Sequence, residues 1–185
     1  IQALAVPKIL EGRDVFGCAQ TGTGKTAAFA LPVVKLAGSH EPSGPRILVL
    51  SPTRELAAQS ADAFESFSKY TSLRSLLVQG GVNMDRQTAA LRSGVDAVIA
   101  TPGRLLDHIH QRNISLKGVR WLVLDEVDRM FDMGFIEDVS NIIRYCPKER
   151  QTLFFSATMP DAVLRLSKWA LKDPKTCLLY TSDAA

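Results

Sequence analysis

Residues 14–26 read Asp-Val-Phe-Gly-Cys-Ala-Gln-Thr-Gly-Thr-Gly-Lys-Thr, a short apolar run that breaks into a glycine-bearing loop and then into a lysine and a hydroxyl. The apolar run predicts a buried strand, and the pattern from Lys25 to Ala37 predicts a helix. Between them, Gly22 and Gly24 open backbone conformations closed to other residues, so consecutive N–H groups can turn inward around an anion. The helix that follows aims its positive end at the same point. The loop from Ala19 through Gln20, Thr21, Gly22, Thr23 and Gly24 to Lys25 and Thr26 therefore reads as a cradle for nucleotide phosphates. Lys25 is expected along the β and γ phosphates and the Thr26 hydroxyl on Mg²⁺. The general pattern has glycine where this chain has Ala19.

A second stretch turns this loop into a hydrolytic proposal. Residues 121–128 read Trp-Leu-Val-Leu-Asp-Glu-Val-Asp, another apolar run, ending in acids. Asp125 is expected to join Thr26 on the Mg²⁺ of a bound nucleoside triphosphate, and Glu126 to orient or deprotonate the attacking water. Asp128 belongs to the same catalytic set but is expected to bond neighbouring motifs rather than metal. An acidic helix cap is the alternative for Asp125 to Asp128, and both readings can hold at once.

Working outward, Asp14 to Cys18, Ile47 to Leu50, Leu73 to Val78, Ala97 to Ala100, Trp121 to Leu124 and Thr152 to Phe155 read as six strands. Helical patterns cover about Lys25 to Ala37, Glu55 to Lys69, Met84 to Arg92, Arg104 to Ile109, Gly134 to Tyr145 and Asp161 to Leu171. This alternation predicts an α/β fold of three layers, αβα, around a mainly parallel sheet, with ligands at the carboxyl ends of its strands. Gly38 to Pro45 reads as an exposed loop. No internal boundary is expected: residues 1–176 form one domain, and 177–185 read as a non-native tail.

Bulk properties permit this reading without carrying it. In 185 residues, 22 Lys and Arg face 19 Asp and Glu, a net charge of +3 that allows a polyanionic partner but does not require one. Cys18, Cys146 and Cys177 are odd in number and match no metal spacing, which fits a reducing, cytoplasmic compartment. No apolar run reaches the roughly 20 residues of a membrane span. Ile1 in place of Met allows for an upstream segment. His40, His108 and His110 fall in no motif and read as solvent-facing. Met130, Phe131, Met133 and Phe135 read as core packing.

The order of the motifs resembles the amino-terminal RecA-like domain of DEAD-box ATP-dependent RNA helicases. The resemblance rests on Ala19 to Thr26, Pro-Thr-Arg-Glu-Leu-Ala at 52–57, Gly80-Gly81, Thr-Pro-Gly-Arg at 101–104, Asp125 to Asp128 and Ser-Ala-Thr at 156–158. It covers Ile1 to about Lys175. By resemblance, the chain is a P-loop NTPase domain using ATP and Mg²⁺. RNA would be held by its sugar-phosphate backbone at Pro52, Thr53, Arg54, Gly80, Gly81, Thr101, Pro102, Gly103 and Arg104. Ser156 and Thr158 would couple the acids to RNA binding, and Gln2 would read adenine. A monomer, and a second RecA-like domain supplying an arginine finger, are also implied, so this chain is expected to be half of an enzyme and nearly inactive alone.

The residues leave bland alternatives beside these roles. Arg54 with Glu55 could be a surface pair, Thr-Pro-Gly a turn opening a helix, and Ser156 and Thr158 a cap before Pro160. Val127 stands where the family has alanine, and only Ile1-Gln2 remains of the adenine-reading segment. A non-catalytic nucleotide- or RNA-binding scaffold and a related enzyme acting on DNA are the rival functions.

Overall fold

The computed structural model describes residues 1–41 and 43–179. Its elements run α1 (Gln2–Leu10), β1 (Val15–Cys18), α2 (Lys25–Ala37), β2 (Ile47–Leu50), α3 (Arg54–Ser68), β3 (Ser75–Val78), α4 (Met84–Arg92) and β4 (Ala97–Ala100). They continue with α5 (Pro102–His110), β5 (Trp121–Asp125), α6 (Val127–Asp132), α7 (Ile136–Tyr145), β6 (Gln151–Ser156), α8 (Asp161–Ala170) and β7 (Lys175–Leu178). The seven strands form one sheet in the order β3-β4-β2-β5-β6-β1-β7. Every strand pair is parallel.

A parallel sheet covered on both faces needs strands apolar on both sides, and β1, β2, β4 and β6 are buried along their whole length. Alternate residues feed separate cores. Ile47, Val49 and Val123 pack with Ala5 and Ile9 of α1, Phe29 and Val33 of α2 and Phe64 of α3. Leu48, Leu50 and Leu124 pack with Leu105 of α5, Met130 of α6, Ile142 of α7 and Leu166 of α8. The chain winds leftward from β1 through β2 to β3 over the first face, then rightward from β3 back across the second, as right-handed crossovers require. The crevice opens where the direction reverses. There β1, whose following helix lies on the first face, stands near β5 and β6, whose following helices lie on the second.

Three elements lie outside the sequence reading. Helix α1 contains Pro7, normally a breaker, and is held because Ala5 and Ile9 are fully buried against the first face. Helix α6 has only 6 residues, too short for a periodic pattern to show. Strand β7 runs through Cys177 and Leu178, past the expected domain limit at residue 176: Cys177 is buried, and β7 takes the open edge of β1, with Leu179 N donating to Cys18 O at 2.9 Å. The remainder of the expected non-native tail, 180–185, lies outside the described residues. His108 is fully buried rather than solvent-facing, because it points from α5 toward α4. His40 is partly covered and bonds Asp96 at 2.7 Å, whereas His110 is exposed. Of the expected core packers, Met130 is buried and Phe135 packs on the core, but Phe131 and Met133 are exposed where the chain turns at Gly134, φ 78°.

Candidate active site

Strand β1 ends at Cys18, and the loop that follows folds over the start of α2. Gly22 and Gly24 both hold φ of 84°, a left-handed backbone that a β-carbon would strain. Thr23 Oγ1 donates to Gln20 O at 2.7 Å, closing the loop on itself. Ala19 is buried, and its carbonyl accepts from Lys25 Nζ at 2.7 Å, which lays the ammonium along the cradle. Gln2 reaches the loop from α1, its Nε2 donating to Gly24 O at 3.3 Å, and a β-carbon on Gly24 would collide with it.

Two strands away, β5 delivers Asp125 and Glu126 to the same crevice. Glu126 is itself in the left-handed region, φ 55° and ψ 52°, a conformation that costs a non-glycine residue about 1–3 kcal/mol and is concentrated at functional sites. The bend brings its Oε1 within 3.1 Å of Lys25 Nζ in a pair about 95% buried on both sides. Burial, then the charge of Glu126, push the Asp125 carboxyl up to about 7, with Lys25 pulling the other way. Asp125 Oδ1 and Glu126 Oε2 are buried without a hydrogen-bond partner. Orphaned carboxylate oxygens at this depth are costly in an isolated protein and are what a cation-bearing ligand would satisfy. Thr21, Gly22, Gly24, Lys25, Thr26, Asp125 and Glu126 line one cleft of about 360 Å³.

Asp128 stands apart from this cleft. Its Oδ2 accepts from Thr158 N at 2.9 Å and Thr158 Oγ1 at 2.8 Å, and its own N–H donates to Ser156 Oγ at 3.2 Å. Ser156 and Thr158 thus tie the end of β6 to α6. They do not cap α8, whose N-cap is Pro160 without a side-chain bond.

A second cleft of about 540 Å³ opens along the same carboxyl edge. It gathers Pro52, Thr53, Arg54, Gly80, Thr101, Gly103 and Arg104. Thr53 caps α3, accepting from Leu56 N at 3.2 Å, whereas Thr101 begins α5 without such a bond. Arg54 lies over the paired glycines rather than pairing with Glu55: a β-carbon on Gly81 would stand 2.5 Å from Arg54 Nη1. Arg104 Nη1 donates to Val82 O at 2.8 Å. Gly81 supplies the left-handed turn, φ 79°, and Pro102 is buried in the first turn of α5, so neither lines this cleft.

Some lining residues escaped the sequence reading. Leu56, Gln59 and Ser60 face the first cleft from α3. Their spacing of three and four places them on one helix face, a signal that was present. Met133 and Phe135 line the second cleft, together with Glu55 and Asp107, and nothing in their local pattern distinguishes them from core packing.

Strand β1, its phosphate loop and the acid-bearing strand β5, two places along the sheet, together define a phosphate-loop α/β domain. The family model of the DEAD/DEAH box helicase matches residues 1–166. ATP-dependent RNA helicase DeaD of Buchnera aphidicola subsp. Acyrthosiphon pisum is 52% identical over 176 residues, 95% of this chain and 29% of that protein. The Escherichia coli (strain K12) protein of the same name is 48% identical over 183 residues, 98% of this chain and again 29% of its own length. Among solved structures, a DEAD box protein from Methanococcus jannaschii superposes with a TM-score of 0.89 at 40% identity, covering 94% of this chain and 47% of that one. A hypothetical ATP-dependent RNA helicase from Sulfolobus tokodaii gives 0.88 at 34% identity, covering 96% and 51%. This chain belongs to the DEAD/DEAH box helicase family, its sheet and helices forming the RecA-like fold. It spans about 29% of the length of the curated relatives it matches.

Proposed function

We propose that this chain is the ATP-binding half of an ATP-dependent RNA helicase, which clamps single-stranded RNA when ATP binds and resets on hydrolysis. The observation that carries the proposal is the pair of orphaned, buried oxygens on Asp125 and Glu126, facing the phosphate loop. Lys25 neutralises Glu126 in their buried pair. Arriving phosphates compete for the ammonium with far greater charge, so Lys25 turns to them and Glu126 is released to hold the attacking water in line. Thr26 and Asp125 are the residues that would hold Mg²⁺, an ion usually carried by one or two carboxylates plus phosphate oxygens. Bound there, Mg²⁺ would supply charge neutralisation at the phosphate oxygens. Gln2, docked on Gly24, would position the adenine end.

RNA is proposed to lie in the second cleft, its phosphates on Arg54, Arg104, the Thr53 and Thr101 hydroxyls and the start of α5. Such contacts read no base identity. Asp128, bonded to Ser156 and Thr158, would report the state of the β5 acids to β6. A second RecA-like domain would add an arginine finger, worth roughly 10³- to 10⁵-fold in related phosphoryl transfers, so the 185-residue chain alone should turn over ATP very slowly. No helix of the described residues is long and apolar enough to cross a membrane. A cytoplasmic monomer is the proposed state.

The test is ATP hydrolysis by a protein joining this chain to a second RecA-like domain, with and without RNA. Hydrolysis should depend on RNA and fall by roughly 10²- to 10⁴-fold in Glu126→Gln, with nucleotide still bound. RNA binding without hydrolysis would instead make the chain a scaffold. Stronger stimulation by DNA of the same sequence would make it a DNA enzyme.

A further inference from the structure

Helix α5 carries Arg104 and His108 four residues apart, hence on one face. Arg104 grips the glycine loop at Val82 O. His108 touches neither cleft and is fully buried, yet it heads a chain of bonds toward the other end of that loop. Its Nε2 meets Gln87 Oε1 at 2.9 Å, and Gln87 Nε2 donates to Gln79 O at 2.8 Å, directly before Gly80 and Gly81. Behind the ring, Asn113 Nδ2 meets His108 Nδ1 at 3.3 Å.

The direction of every link is fixed. The Gln79 carbonyl can only accept, so Gln87 must present its NH₂ there and its oxygen to the imidazole. Nε2 must therefore carry the ring proton, and Nδ1 must accept from Asn113. With the Asn113 amide also donating to Gln111 Oε1 at 3.2 Å, the neutral imidazole protonated at Nε2 satisfies all three bonds. Burial, then the charge of Arg104, hold the ring below its ordinary range, with Asp107 opposing, which keeps it neutral.

We infer that His108 is a positioning residue for RNA: with Gln87 it fixes Gln79, Arg104 fixes Val82, and the paired-glycine loop between them is held against α5 as a single RNA-facing unit. This rests on the RNA reading of the second cleft. The loop needs such anchors because Gly81 in the left-handed region leaves its own backbone little to resist reorientation.

The test uses amide NMR of the isotope-labelled chain with His108→Phe, Gln87→Leu and the double variant, with and without a short oligouridine RNA. In either single variant the Gly80 and Gly81 resonances should shift while those of Gly22 and Gly24 stay, and RNA affinity should fall about tenfold, the loss of roughly one good hydrogen bond. Removing both partners relieves the Gln87 oxygen that His108→Phe alone would orphan, so the double variant should regain part of the melting temperature lost by that single variant, the Gln79 carbonyl staying without its donor. Its RNA affinity should remain low. Should RNA affinity return with stability, or the Gly80 and Gly81 amides stay unmoved, His108 serves packing alone and the inference falls. Wild-type amides at Thr101 and Gly103 that ignore RNA would instead remove the RNA reading itself, and this inference with it. If His108→Phe does not fold, Gln87→Leu alone carries the same expectations.

Discussion

Asp96 at the start of β4 shows how much of the fold can rest on one carboxylate. It is fully buried, and its oxygens accept from the Glu41 and Arg74 amides at 3.0 and 2.9 Å and meet Arg46 at 3.0 Å and His40 at 2.7 Å. Burial works against ionisation, but the Glu41 and Arg74 amides, His40 and Arg46 outweigh it and hold the carboxyl below its ordinary 3.8. A depressed folded-state value means the stabilisation is present above the unfolded value and is lost as pH falls through the folded one. Asp96→Asn should therefore cost about 3–5 kcal/mol at neutral pH, since Arg46 is left buried with weaker compensation. The difference should shrink as the pH drops below about 3.8, the unfolded carboxylate value. Melting curves of both proteins between acid and neutral pH would check it. A loss of equal size at every pH would show that only packing was at stake. No local pattern marks this hub, because its partners come from two separate loops, before β2 and before β3, and none forms a motif.

At the scale of elements, β1 and β6 meet with Gly17 opposite Phe155. A β-carbon on Gly17 would stand 2.6 Å from the Phe155 ring, which is fully buried. Gly17→Ala should destabilise by about 1–3 kcal/mol through overpacking and displace the phosphate loop, which begins two residues downstream. A fall in melting temperature with weakened nucleotide binding is the expected result, and Phe155→Leu on the same background should recover part of both. The elements read from sequence were those with strong local signals: α2 and α4 begin and end where their patterns do, and the six apolar runs became strands. Those missed were decided by tertiary contact. Pro7 speaks against α1 until its partner α2 is present, and β7 is a short exposed edge whose pairing to β1 spans most of the chain. Likewise, the phosphate loop and its acids were legible because backbone geometry and charge are written locally. The Asp128 bonds to Ser156 and Thr158 gained their partners only in the fold.

Across the whole molecule, protection is expected to follow position in the sheet. Strands β2 and β5 are interior and buried on both faces, whereas β3 and β7 are edges with partly exposed residues. Amide exchange should be slowest in β2 and β5 and fastest in β3 and β7. Uniform exchange across all strands would mean the sheet opens only as a unit. The placement of β1 has a further consequence for how this chain is made. Among the described residues its strand partners are β6 and β7, more than a hundred residues later, so the strand bearing the phosphate loop leaves the ribosome well before them and waits unpaired. During synthesis β2, β3, β4 and β5 can assemble among themselves first. The proposed nucleotide pocket is then the last part to be completed, and a nascent chain stalled before residue 151 should hold a partial sheet yet retain no ATP. Competence to bind nucleotide thus doubles as a sign that translation of the domain has finished.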